Sequence, residues 1–140
     1  PAKRYHEAIF VEENSETLDG TMFHVTGDVI SSKGMYYQER WTTNPRNDRF
    51  FHRLTPLGWV DKTDYDSGRI GEVLKALPTP PKQQGLDFWA KKEEGQPTPM
   101  IWTKENGEPY APGEERRPVF KCNEWLSQCA LPALREAGLI

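Results

Sequence analysis

Cys122 lies near the start of RPVFKCNEWLSQCALPALREAG (residues 116–137), a stretch whose apolar residues recur at helical spacing. A cysteine in the first turn of a helix feels the positive end of the backbone dipole, and Lys121 adds a charge beside it. Both favour the thiolate, the nucleophilic form. A thiol nucleophile also needs a base within hydrogen-bond reach, usually histidine. The three histidines, His6, His24 and His52, all fall in the first half of the chain. Only the fold can bring one of them to Cys122. The same position equally suits a small apolar residue packed against a core. Cys129, two turns further along the stripe, reads as such a structural residue.

His6 stands where HEAIFV begins, and His24 sits in FHVTGD with Thr26 and Asp28 on its own strand face. Taken singly, each reads as a structural or exposed residue before a functional one. His52, between Phe51 and Arg53, carries less signal and reads as structural. Tyr36, Tyr37 and Trp41 suit either a pocket lining or a core.

The elements that must position these residues form two unlike halves. YHEAIFVE (5–12), TMFHVTGDVI (21–30) and MYYQERWTT (35–43) read as strands separated by turns at NSETLDG and SSKG. RFFHRL (49–54) is a plausible fourth strand after the break at NPRND. Ile70, Val73, Leu74 and Leu77 fall at i, i+3, i+4 and i+7 of a short helix, with Ser67 as its cap and Pro78 as its stop. Residues 78–118 are rich in proline and turn signals. LDFWAKK suits a helical turn and MIWT a short strand. An irregular stretch of that length has the character of a binding loop or lid. The last helix takes Pro118 in its first turn and presents Phe120, Cys122, Trp125, Leu126, Cys129, Leu134 and Ala137 as an apolar stripe. Pro132 should kink or split it, and Gly138 should end it. The order implies one α+β domain over residues 1–140, an antiparallel sheet packed against a C-terminal helix that carries the cysteine.

Composition narrows the partners. Eighteen basic against 21 acidic residues give a net charge of −3, with no basic run beyond pairs, so nucleic acid is not an expected partner. No apolar run approaches the roughly 20 residues of a membrane span, and no basic-then-apolar leader opens the chain. Two cysteines seven positions apart on a helix are separated by about 10 Å of rise, beyond a disulfide's reach. Free thiols suit a reducing compartment such as the cytoplasm. No Cys-x-x-Cys or His-x-x-x-His spacing is present, so neither a metal nor a cofactor is expected.

HEAIFV with His6, FHV with His24 on the next strand, and KCNEW with Cys122 at a late helix form an ordered set of islands. Their order and internal spacing resemble the circularly permuted papain-like thiol enzymes, and the lecithin–retinol acyltransferase-like group in particular. In that group the strand reads like His-Trp-Ala-Ile-Tyr-Val, the second strand opens with His, and the helix reads Asn-Cys-Glu-His-Phe. Lys121 stands where the group has Asn before the cysteine, and Glu12 where it commonly has Gly. The resemblance implies a permuted papain-like architecture with Cys122 as nucleophile, His6 as base and His24 as the polar residue that orients it. It further implies a cysteine-dependent hydrolase or acyltransferase working through a thioester on an amide or ester. Lacking a hydrophobic anchor, the sequence favours a peptide-like or other small-molecule acyl substrate over a lipid. The alternative is a non-catalytic module binding a small ligand or peptide on an aromatic-rich antiparallel sheet.

Overall fold

A computed structural model describes residues 4–140. A three-stranded antiparallel sheet is formed by β1 (Ile9–Glu12), β2 (Gly20–Thr26) and β3 (Tyr36–Thr42), with β2 in the centre. Register pairs Ile9 with Phe23, and Phe23 in turn with Glu39. Because side chains alternate along a strand, Ile9, Val11, Phe23, Val25 and Tyr37 share one face, whereas His24 and Gln38 lie opposite one another on the other. The first face is the core side. Ile9, Phe23 and Val25 pack there with Val29, Met35, Ile70, Leu74, Trp125, Ala130, Leu134 and Leu139.

The turn expected at NSETLDG is present. Asn14 Oδ1 accepts from the backbone N–H groups of Glu16 (2.8 Å) and Thr17 (3.1 Å), which reverses the chain locally. The second strand ends at Thr26, short of the expected Ile30. Gly27 has a φ of 93°, and Asp28 Oδ1 takes the N–H groups of Ile30 and Ser31, so a local turn outcompetes the ladder. The fourth strand expected over 49–54 does not form. Asp48 instead caps a turn, accepting from Phe50 N at 2.7 Å through its side chain and from Phe51 N at 3.0 Å through its carbonyl. Without a partner strand, an aromatic run stays unpaired.

Helix α2 (Arg69–Lys75) buries Ile70 and Leu74 as its spacing requires. Ser67 is not its cap. It closes a preceding helix, α1 (Lys62–Asp66), whose N-terminus is capped by Asp61 Oδ1 on Thr63 N at 2.9 Å. Gly68, with a φ of 80°, makes the joint between the two helices. Within the proline-rich region, Met100–Trp102 forms the expected strand, here β5, paired with a three-residue β4 (Gln84–Leu86). LDFWAKK gives a turn rather than a helical element, with Asp87 Oδ1 accepting from Trp89 N.

The C-terminal helix starts at Cys122, four positions later than Pro118 suggests. α3 (Cys122–Trp125) continues through a π-helical turn at Leu126–Ala130 into α4 (Leu131–Glu136). Leu131 N reaches back to Leu126 O, a five-residue step just before the proline that cannot donate. The expected kink is therefore absorbed as a widened turn. Gly138, at a φ of 70°, ends the helix, and Leu139 N bonds Leu134 O at 2.9 Å in the six-to-one pattern of a glycine stop. The protein is thus α+β, with antiparallel sheets and a C-terminal helix that carries Cys122. Among the described residues no helix is long and apolar enough to cross a membrane.

Candidate functional site

On the sheet face away from the core, two of the expected site residues meet. His6, in the extended chain just before β1, places Nε2 2.8 Å from Nδ1 of His24, with the rings edge to face. His24 Nε2 lies 2.9 Å from Oε1 of Gln38, its register partner on β3. His24 is 6% exposed, so both of its nitrogens are satisfied inside the protein. His6 is exposed.

This chain of contacts dictates protonation. A carbonyl oxygen only accepts, so His24 Nε2 carries the hydrogen and, in the neutral ring, Nδ1 is the acceptor. His6 Nε2–H then donates to it, which leaves His6 Nδ1 with the ring's lone pair. Burial holds both imidazoles below their ordinary value of 6.5. Glu7 pulls His6 the other way, as the Gln38 acceptor does for His24, while the charges of His6 and Arg40 lower His24 further. Near pH 7 the pair is neutral, and His6 Nδ1 has no hydrogen-bond partner among the described residues. Both nitrogens of His24 are engaged, whereas only Nε2 of His6 is; among the described residues the Cys122 thiol bonds Asn123 and neither histidine.

The start of the cysteine-bearing helix is bonded to the segment that leads into the first strand. Cys122 is partly buried against the core and donates to Asn123 Oδ1 at 3.2 Å, while the histidines bond each other. Asn123 Nδ2 donates to Glu7 Oε1 at 2.8 Å, so the residue after the cysteine is tied to the residue after His6. Arg4 reinforces this seam. Its Nη2 donates to both carboxylate oxygens of Glu124 at 2.7 and 2.9 Å. Hydrogen bonding to Glu124 raises the Arg4 pKa against burial, and the charges of Glu124, Cys122 and Glu7 act in the same direction. A permanent cation therefore lies within electrostatic reach of Cys122. Glu124 Oε1 also accepts from Lys121 N at 2.9 Å, which caps the helix start from its third residue.

The remaining cysteine and histidine separate from this seam. Cys129 packs against the core, and burial pushes its thiol up. His52 stacks on Tyr5 with centroids 4.2 Å apart and planes at 10°, a packing contact one residue away from His6. Trp125, 1% exposed, lies 6.0 Å from Tyr37 by ring centroids beneath the helix. Among the described residues, no cluster of His, Cys, Asp and Glu is arranged to hold a metal.

Gln38, Arg4, Glu7, Asn123 and Glu124 are the participants that the sequence alone does not announce. Glu124, three residues after the cap position, carries a capping signal. Gln38 becomes a partner of His24 only through strand register, which a sequence leaves open. No curated protein and no solved structure matches the chain. Over residues 1–140 it matches a single family model throughout, and the protein belongs to that family, DUF6540, described as a family of unknown function.

Proposed function

We propose that this protein is a cysteine-dependent hydrolase or acyltransferase, acting on a peptide-like amide or an ester in a papain-like, circularly permuted arrangement. The observation that carries the reading is the Gln38–His24–His6 series. Among the described residues it leaves His6 Nδ1 without a partner, on the segment whose next residue is bonded to the start of the Cys122 helix. In the reaction, His6 Nδ1 takes the Cys122 proton and Sγ attacks the substrate carbonyl carbon. The C–S bond forms as the carbonyl π pair moves to oxygen, and the backbone N–H at the helix start helps hold that oxyanion. The intermediate collapses as the amine or alkoxide leaves with the His6 proton, giving a thioester. Water, or an acceptor amine or alcohol, then releases the acyl group with His6 again as base.

His24 and Gln38 act through His6, since they hold its tautomer without touching substrate. No metal or cofactor enters the scheme, and free thiols fit a reducing, cytoplasm-like setting.

The test is a panel of amide, ester and thioester donors read by intact-mass spectrometry for an adduct on Cys122. Cys122→Ser should abolish adduct formation and turnover while keeping the melting temperature within a few degrees. The hydroxyl is nearly as small as the thiol but far less acidic. His6→Ala should do the same, and His24→Ala should be milder. No adduct from any donor or thiol-directed probe, together with a destabilised Cys122→Ser, overturns the enzyme. The second reading, a binding module, then gains. It draws on Tyr36, 55% exposed on the His24 and Gln38 face of β3, an edge strand of the sheet.

A further inference from the structure

A cleft in the proline-rich region is held to the Cys122 helix through Gln83. It is lined by Lys82, Trp102, Glu105, Tyr110, Arg116 and Arg117 among others. Its organising residue is Trp102, on β5. The Arg116 guanidinium carbon lies 4.4 Å from the indole centroid, and Lys121 Nζ lies 5.7 Å from it. Lys121 directly precedes Cys122. The cleft's position is fixed to the thiol helix by Gln83, which accepts from Phe120 N at 2.9 Å and donates to Phe120 O at 2.5 Å.

The charge balance of this cleft is one-sided. Lys104 is neutralised by Glu114 at 2.9 Å, and Arg117 is loosely paired with Glu105 at 3.9 Å. Lys82 Nζ donates to the carbonyls of Ile30 and Gln84 and lies within electrostatic reach of the Asp28 carboxylate, so it adds little free charge to the cleft. Among the described residues, neither Arg116 nor Lys121 has a carboxylate partner. Stacking on Trp102 orients the Arg116 plane while leaving its N–H groups for a planar or tetrahedral oxyanion. In a chain of net charge −3, this concentration of cations on an aromatic wall is a local feature with a direction.

We infer that the Trp102–Arg116–Lys121 cleft is a subsite for an oxyanion group, carboxylate or phosphate, carried by the substrate whose carbonyl meets Cys122. This rests on the thiol reading for the word substrate, and on the cleft alone for the binding. The acyl donor would thus be an acidic amide or ester, such as an acidic or phosphorylated peptide.

The experiment separates the two. Cys122→Ser protein, labelled with 15N, is titrated with the α-N-methylamides of N-acetyl-glutamate and N-acetyl-O-phosphoserine, each with a single oxyanion group, and with the neutral N-acetyl-glutamine α-N-methylamide. The Trp102 indole N–H signal is identified by its loss in Trp102→Phe. At least one anionic probe should shift that signal saturably where the neutral one does not, and which one responds names carboxylate or phosphate as the source. Because a charged hydrogen bond contributes about 1.5–3 kcal/mol, Arg116→Gln should weaken binding by about tenfold or more. Arg116 is exposed, so the variant should fold. Lys121→Gln should weaken binding less, and added salt should weaken it in the parent. Saturable binding without any Cys122 adduct in the parent protein would keep the subsite and remove the thiol chemistry. Equal response to the neutral and anionic probes, or a response insensitive to Arg116→Gln, overturns the subsite whatever Cys122 does.

Discussion

Replacing Gln38 by leucine tests the histidine series at its anchored end. The side chain keeps its approximate size but loses the oxygen that lies 2.9 Å from His24 Nε2. His24 is 6% exposed, so its N–H has little access to water as a substitute. An unpaired buried donor costs about 1–3 kcal/mol. For a chain of this size that corresponds to a melting point lower by roughly 3–9 °C. The second effect is on the tautomers. If the bond contributes about 1 kcal/mol, it biases the His24 tautomers about fivefold, and through Nδ1 it biases His6 as well. Without it His24 can turn Nδ1–H toward His6, and the His6 proton then moves to Nδ1, the atom that must be bare to act as a base. Long-range 1H–15N spectra read both tautomers directly. In the wild type, His6 should carry its proton on Nε2 and His24 on Nε2. In Gln38→Leu a mixture should appear, and iodoacetamide should alkylate Cys122 several-fold more slowly near pH 7. Gln38→Glu restores an acceptor and adds a charge, so it should hold a single tautomer and raise the His24 pKa. A wild-type spectrum with the proton on His6 Nδ1, or a Gln38→Leu protein of unchanged stability and tautomers, would refute the reasoning.

The other expectations concern the scaffold. Both histidines titrate below 6.5 in the folded chain, so as pH falls through that value the unfolded chain takes up protons first. Their contribution to stability is present above pH 6.5 and is lost as pH falls through the lower folded values. Urea midpoints from pH 7.5 to 5 should fall in the wild type and fall less in a His6→Asn, His24→Asn double variant; parallel slopes would contradict this. Cys129→Ala should cost about 1 kcal/mol through a small cavity and leave Cys122 labelling unchanged. Loss of labelling in a folded Cys129→Ala protein would show that the wrong thiol was chosen. Gly34 has a φ of 72°, and an added Cβ would press on Pro80 O and lie 2.7 Å from Pro81 C, so Gly34→Ala should cost about 2–3 kcal/mol by chemical denaturation. A neutral result would mean that the turn against Pro80 can move.

Alternation in the first strands and the i, i+3, i+4 pattern of Ile70, Val73, Leu74 and Leu77 made the α+β class readable. These patterns record which side of an element is buried, and burial is a property that each residue's chemistry states locally. Gly138 was readable as a stop for a similar reason, since few other residues accept a φ of 70°. The sequence alone also made Cys122, His6 and His24 candidates, through residue type and order. It misplaced what depends on competition between local and distant bonds. RFFHRL looks like a strand but found no ladder, Ser67 chose the helix behind it, and Pro118 lay too far from the helix start because Gln83 holds Phe120 extended. Tertiary structure alone decided that His6 bonds His24, that Gln38 faces His24, and that Glu7 reaches Asn123 across 116 positions of chain. Those contacts follow from strand register and from where the last helix docks. Both are set by the whole core packing at once, and no single stretch of sequence contains that information.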